Sequence, residues 1–380
     1  MGLVELNAYK RLPLPVVGAE GCELVLADGR RVLDLYGGHC VNTLGAGDAR
    51  LGETLARQWR ELSFATNLLD HAPRRAFLQA FARNLPEGAE WEVFCSNSGA
   101  EANENALKIA LGATGRSRVV AFRGAFHGRT AAAAAITDGK APRFPVSPFE
   151  VVRLPWSDAE AAWRAIDRGV AAVVLEPLQS LAGVTEPAAG FLEVLREACD
   201  ASGALLVFDE VQTGNGRTGS FWASQHFGVV PDLFTTAKGA AGGLPIGLTL
   251  VRASVARALP AGLLGSTFGG GPLVLAAAAE VARRIAEPGF LENVRACSAA
   301  LRDAAARGPV ERVRGAGLLL GLVLEEGQSA TSVRDHLLAH EVLVGTSDDP
   351  RVLRLSPPLV LRPEHAGRLA QALEALEVKA

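Results

Sequence analysis

The chain has 380 residues, 49% hydrophobic and 21% charged, with a formal net charge of -3 at pH 7; a chain this long buries roughly three quarters of its unfolded surface and has room for two domains and a deep, dry site. The mild negative charge and the lack of any Lys/Arg run exclude a nucleic-acid footprint, and no apolar window reaches the length of a membrane span. Cys22, Cys40, Cys95, Cys199 and Cys297 show neither paired metal-ligand spacing nor the even count of a disulfide framework, and residues 1–7 carry no basic-then-apolar export signal, so a reducing cytoplasmic setting without a metal site is expected.

Along the chain, residues 23–34 read as a hairpin turning at Asp28-Gly29. Residues 91–95 read as a strand, followed by Ser98 as N-cap of a helix from Gly99. Within that helix Glu104 and Lys108 stand four apart and read as a surface ion pair. Apolar runs follow at 119–122, 171–175, 204–208, 233–237 and 248–251, several separated by helical patterns such as 191–199. Runs that are apolar throughout indicate strands buried on both faces, as in a parallel sheet covered by helices. From about residue 262, Ala-rich helices alternate with strands at 317–324 and 352–355, and a last helix begins at Pro363. The expected fold class is α/β: a large domain over residues 45–260 with a mostly parallel sheet, and a smaller α+β domain from residues 1–44 and 261–380.

In open α/β sheets the ligand lies beyond the carboxyl ends of the strands. Here the 204–208 run leads into Asp209-Glu210-Val211-Gln212, the 233–237 run into Lys238, and the 171–175 run into Glu176-Pro177-Leu178-Gln179. A carboxylate and a lysine on neighbouring strand ends are what a pyridoxal enzyme needs: the acid keeps the pyridine nitrogen protonated, and the lysine attaches the cofactor and shuttles a proton. The start of the helix after Ser98 offers free amides and a positive dipole end for a phosphate. Glu176 reads as a residue that orients neighbouring loops, and His127 as a core or surface histidine or a catalytic one.

Ser98-Gly99-Ala100-Glu101-Ala102, Phe126-His127-Gly128-Arg129-Thr130, Asp209-Glu210-Val211-Gln212-Thr213-Gly214, Lys238-Gly239, Gly265-Ser266-Thr267-Phe268-Gly269-Gly270 and Leu353-Arg354-Leu355-Ser356-Pro357-Pro358-Leu359 together resemble the class III aminotransferases, most of all those acting on acetylornithine or succinylornithine. The motifs fall in family order over nearly the whole chain. The resemblance implies a fold-type I, pyridoxal-phosphate-dependent transferase, homodimeric with its active site at the subunit interface, working in the cytoplasm in arginine or lysine biosynthesis. It implies that Lys238 carries the cofactor, Asp209 pairs with its ring nitrogen, Phe126 stacks on the ring and Gln212 contacts the phenolic oxygen. Ser98, Gly99 and Ala100 would hold the phosphate, with Thr267 reaching it from the second subunit. Arg129 and Ser266 would bind substrate, Arg129 through the α-carboxylate, and Arg354 would take a carboxylate of glutamate or 2-oxoglutarate, as the guanidinium fork suits. The implied reaction moves the ω-amino group of an N-acylornithine-like donor to 2-oxoglutarate, giving a semialdehyde and glutamate; another ω-amino acid or diamine donor, or an aminomutase reaction, are alternatives on the same scaffold.

The chain departs from the family's pattern in three places. Members often carry a glutamate after Glu-Pro-x-Gln that covers the second substrate arginine, where this chain has Ser180-Leu181-Ala182-Gly183. The segment Gly45-Ala46-Gly47-Asp48 lacks the usual His-Pro, and Gly271 stands where an asparagine commonly precedes the proline. Cofactor binding is expected to survive these changes, and substrate preference to shift.

Overall fold

The computed structural model describes residues 11–139, 149–260 and 262–377; the expectation for residues 1–7 lies outside them. The chain opens with an antiparallel meander of β1 (Val16–Glu20), β2 (Glu23–Leu26) and β3 (Arg31–Asp34). Its β2–β3 turn is the Asp-Gly one: Gly29 takes φ 87° and the Asp28 carboxylate accepts the amide of Arg30 at 3.1 Å.

The central sheet has seven strands, β4 (Trp91–Ser96), β5 (Arg118–Phe122), β6 (Glu150–Leu154), β7 (Val170–Leu175), β8 (Leu205–Asp209), β9 (Leu233–Ala237) and β10 (Gly247–Arg252), in the order β4-β10-β9-β8-β7-β5-β6. Side chains alternate between two apolar layers. Val120, Phe122, Val173, Leu175, Leu206 and Phe208 enter one core cluster, while Val119, Ala121, Ala172, Val174 and Val207 enter the other with Leu107 and Ile109 of the helix Gly99–Thr114. Both faces are therefore covered, which is why these strands read as unbroken apolar runs. Six strands share one direction and β10 is reversed, antiparallel to β4 and β9. Two-sided burial gives the same sequence pattern in either direction, so the run at 248–251 did not reveal its reversal. The short 238–246 link did carry a hint, because a parallel return needs a crossover of a dozen or more residues.

After two helices, Pro272–Ile285 and Phe290–Ala305, come β11 (Val310–Ala316), β12 (Leu319–Leu324), β13 (Val342–Leu343), β14 (Gly345–Thr346) and β15 (Val352–Leu355). β11, β12, β15 and β14 form one sheet, whereas β13 pairs in parallel with β3 and so joins the two ends of the chain. The expected strand at 317–324 is shorter than its apolar run: residues 317–318 are the turn into β12, and the polar residues of β11 masked the strand before it. The helix Pro272–Ile285 lies beyond residue 260, yet its Leu275, Ala278, Val281 and Ile285 belong to the central core. The expected Glu104–Lys108 pair is not formed. Glu104 instead accepts the amides of Ala132 (2.7 Å) and Ala133 (3.3 Å), capping the helix Ala131–Ile136, because first-turn amides need an acceptor that Lys108 cannot supply.

Candidate active site

The shared strand direction brings the carboxyl ends of β4, β5, β7, β8 and β9 to one edge of the sheet, and a cavity of about 450 Å³ opens there. Asp209 ends β8 and is 3% exposed. Its Oδ2 accepts from Asn103 Nδ2 and faces His127 Nδ1, both at 2.7 Å, while Oδ1 accepts the Val211 amide at 3.0 Å. A carboxylate can only accept, so His127 carries its proton on Nδ1 and presents Nε2, which is buried with no protein partner. Asn103 is itself held by Thr235 of β9 at 2.6 Å and donates to the His127 carbonyl at 2.7 Å. Asp209 is thus aimed by groups from a helix, a loop and the turn that follows its own strand.

Lys238 follows β9 with φ 43°, a left-handed setting that is strained for a residue with a Cβ. Its side chain lines the cavity and has no hydrogen-bond or ion-pair partner among the described residues. Burial pushes its pKa below that of a free lysine, against the opposing pull of Cys40, Asp209 and Glu176. Glu176, just past β7, accepts the amides of Phe126 (3.0 Å) and Ser180 (3.3 Å), tying two cavity loops to one strand end.

The expected phosphate cup has the geometry of an anion site. Ser98 caps the helix Gly99–Thr114, its hydroxyl engaged with the amide and carboxylate of Glu101 at 3.2 Å each. The amides of Gly99 and Ala100, in the first turn, have no intrahelical acceptor and lie at the positive end of the dipole. Two glycines let the backbones meet here. At Gly247 a Cβ would collide with the Ser98 carbonyl, and at Gly128 (φ 136°) it would lie 2.7 Å from the Ala100 Cβ.

A second group of residues forms a rim. Arg354 of β15 is 4% exposed, and its guanidinium donates to Thr346 O (2.8 Å), Ser180 Oγ (2.9 Å) and Tyr36 Oη (2.8 Å). All three are neutral. Tyr36 precedes a run of left-handed residues, Gly37, Gly38, His39 and Cys40, with φ of 56–66°. His39 packs against Tyr36 with ring centroids 4.6 Å apart and the rings tilted by 53°, and burial together with the charges of Arg354, Lys238 and Arg129 lowers its pKa. Arg129 is exposed at the mouth, its guanidinium 5.7 Å from the Phe126 ring centre.

Of the residues singled out in the sequence, Ser98, Gly99, Ala100, Phe126, Arg129, Asp209, Gln212 and Lys238 line one cavity. Arg354 stands beside it, joined through Ser180. Ser266 and Thr267 do not line it: Ser266 is bonded to Asn97 (3.3 Å), and Thr267 is exposed on an adjoining loop. Sequence reasoning missed Asn103, Tyr36 and Ser180. Asn103 had a signal, a polar residue on the helix face that buries Ala102, Ala106 and Ala110; Tyr36 and Ser180 acquire meaning only through Arg354, distant in the chain.

The family model described as aminotransferase class-III matches residues 6–376. The chain is 42% identical to the acetylornithine aminotransferase of Streptomyces coelicolor (94% of this chain, 89% of that one) and 40% identical to that of Mycolicibacterium smegmatis (98% and 96%). Among solved structures it resembles the N-acetylornithine aminotransferase of Stenotrophomonas maltophilia (TM-score 0.83, 33% identity, 98% and 99% covered) and the ornithine aminotransferase of Toxoplasma gondii (TM-score 0.90, 27% identity, 98% and 93% covered).

Proposed function

The chain belongs to the class-III aminotransferases, and on that premise we propose that it moves the ω-amino group of an N-acylornithine to 2-oxoglutarate, giving a semialdehyde and glutamate. The family's cofactor is pyridoxal 5'-phosphate, and the residues present fit it. A buried lysine without a partner, a carboxylate aimed into the cavity and two free first-turn amides match its aldehyde carbon, ring nitrogen and phosphate. When bound, it supplies an aldehyde that takes up the amino group and a ring that draws electrons from the carbon beside it.

The protein's own residues do the rest. Lys238 would hold the cofactor and, when free of it, would carry a proton at Nζ, and its burial, which lowers its pKa, favours the neutral amine that accepts one. Asp209, fixed by Asn103 and His127, holds a proton on the ring nitrogen. Gly99 and Ala100 grip the phosphate by their amides, while the Ser98 hydroxyl serves the helix cap. Phe126 covers the ring, Arg129 at the mouth receives the donor's α-carboxylate, and Arg354 receives a carboxylate of glutamate or 2-oxoglutarate.

A cytoplasmic homodimer completes the proposal. Trp59, Phe64, Leu68 and Leu69 are exposed, and Phe64 lies edge-on to the exposed Phe268, ring centres 5.9 Å apart, beside Thr267. A second copy covering this apolar surface would bring Thr267 toward the other subunit's phosphate end. Among the described residues no helix is long and apolar enough to cross a membrane.

The single observation that carries the reading is Lys238, unpartnered in the cavity next to Asp209. Borohydride reduction of the cofactor-loaded protein followed by peptide mapping should label Lys238, and a panel of ω-amines should favour N-acylornithines; a label on another lysine overturns the assignment.

A further inference from the structure

Three hydrogen bonds connect the rim to the cavity. Arg354 Nη1 donates to Ser180 Oγ at 2.9 Å, Ser180 Oγ donates to Gln212 Oε1 at 3.1 Å, and the Cys40 thiol reaches the same Oε1 at 3.6 Å. All are buried, Ser180 completely. The direction of this chain is set by chemistry. A guanidinium can only donate, so Ser180 Oγ accepts from Arg354, and its one proton has Gln212 Oε1 as its acceptor. With its oxygen taken by two donors, the Gln212 amide presents its NH₂ elsewhere; that group has no partner among the described residues, and Gln212 lines the cavity. The flipped amide would confront the thiol and hydroxyl protons with N–H groups, which buried polar groups avoid. Ser180 cannot drift, because its amide is held by Glu176 at 3.3 Å.

We propose that Ser180 is a positioning residue that relays the charge of Arg354 to Gln212, fixing the amide as a polarised donor toward an anionic oxygen in the cavity. The proposal rests on the functional reading above, together with the role the family resemblance implies for Gln212, a contact to the cofactor's phenolic oxygen. Hydrogen bonds in a chain strengthen one another, and a charged first donor strengthens the whole. The hydroxyl anchors Arg354 without bringing a negative charge to it, so the guanidinium is held but not offset. Ser180 thereby performs two tasks: it leaves the rim cationic, and it turns that charge into a stronger donor at the cavity floor.

The readout is the pH midpoint of the visible band of the cofactor bound on Lys238, which reports the proton on the lysine nitrogen. A strong donor at the phenolic oxygen withdraws negative charge from beside that nitrogen and lowers the midpoint. Ser180→Ala, and independently Ser180→Gly, should raise it by about half a unit or more. Tyr36→Phe removes a different neutral partner of Arg354 and leaves the relay intact, so its midpoint should stay within about 0.2 unit of the native one. An unshifted Ser180→Ala and Ser180→Gly pair, or a Tyr36→Phe shift as large as theirs, overturns the relay. A native protein with no pH-dependent band on Lys238 overturns the functional reading beneath it instead.

Discussion

The cavity floor and its rim solve opposite electrostatic problems. On the floor the buried acid Asp209 is matched donor for donor, by Asn103, His127 and the Val211 amide. On the rim the buried cation Arg354 meets a carbonyl and two hydroxyls, and no carboxylate among the described residues. A fully matched group is fixed in place and suits a permanent occupant such as a cofactor. A cation held by neutral groups is oriented but not neutralised, and an uncompensated buried charge favours an arriving anion. The difference teaches where permanence ends and exchange begins: one end of the site is built to hold, the other to receive.

The largest expected effect breaks the floor. Asp209→Ala should slow the half-reaction with an amine donor by about a thousandfold, since it removes the charge that supports electron withdrawal, while leaving the cofactor bound more weakly. Rapid-mixing measurements of the cofactor's absorbance test this, and near-native rates would contradict the role. The rim is broken from the other side by Leu181→Glu, which places an acid one residue along from the Ser180 hydroxyl that holds Arg354. If the rim's character comes from an unneutralised cation, native protein should favour N-succinylornithine over N-acetylornithine, and the substitution should reduce that preference about tenfold. Native preference for the acetyl compound, unchanged by the substitution, would refute this. The smallest effect sharpens the contrast within the floor. Burial pushes the Glu176 carboxyl up to about 7, with Asp209 adding to the rise and His127 and two backbone amides opposing it. The folded chain keeps this proton where the unfolded chain, near 4.5, has lost it, so stability falls as pH rises from about 4.5 to about 7. Glu176→Gln should flatten the fall in Tm over that window in part, because the Glu210 carboxyl, also raised to about 7 by burial, contributes a similar slope; an identical fall in both proteins would contradict the assignment.

The floor was legible in the sequence for a physical reason. Asp209, Glu176 and Lys238 each follow an apolar run directly, and strand ends collect ligand-facing groups whatever the details of packing. Gly99 and Ala100 were legible because helix starts leave amides free. Of the rim, Arg354 was legible through the motif around it, but Tyr36 and Ser180 were not, because they come from remote segments and meet the arginine only through tertiary packing. The Glu104 expectation failed similarly: spacing within one helix suggested Lys108, and a neighbouring helix with unsatisfied amides competed successfully. The reversed β10 escaped because period and burial are blind to strand direction.

The position of β10 also governs when the molecule can exist during its own synthesis. β4, which leads into Ser98 and the helix start at Gly99, pairs in its sheet with β10 alone, and β3 completes its sheet with β13 near the far end of the chain. A ribosome therefore releases β4 long before its partner emerges, and contacts of such sequence separation form slowly. Strands β5 to β9, each adjacent in the sheet to others of that group, have partners earlier. The helix start closes only after β10 and the rim only after β15, and a chain stopped short of β10 holds Lys238 and Asp209 without the strand that pairs β4.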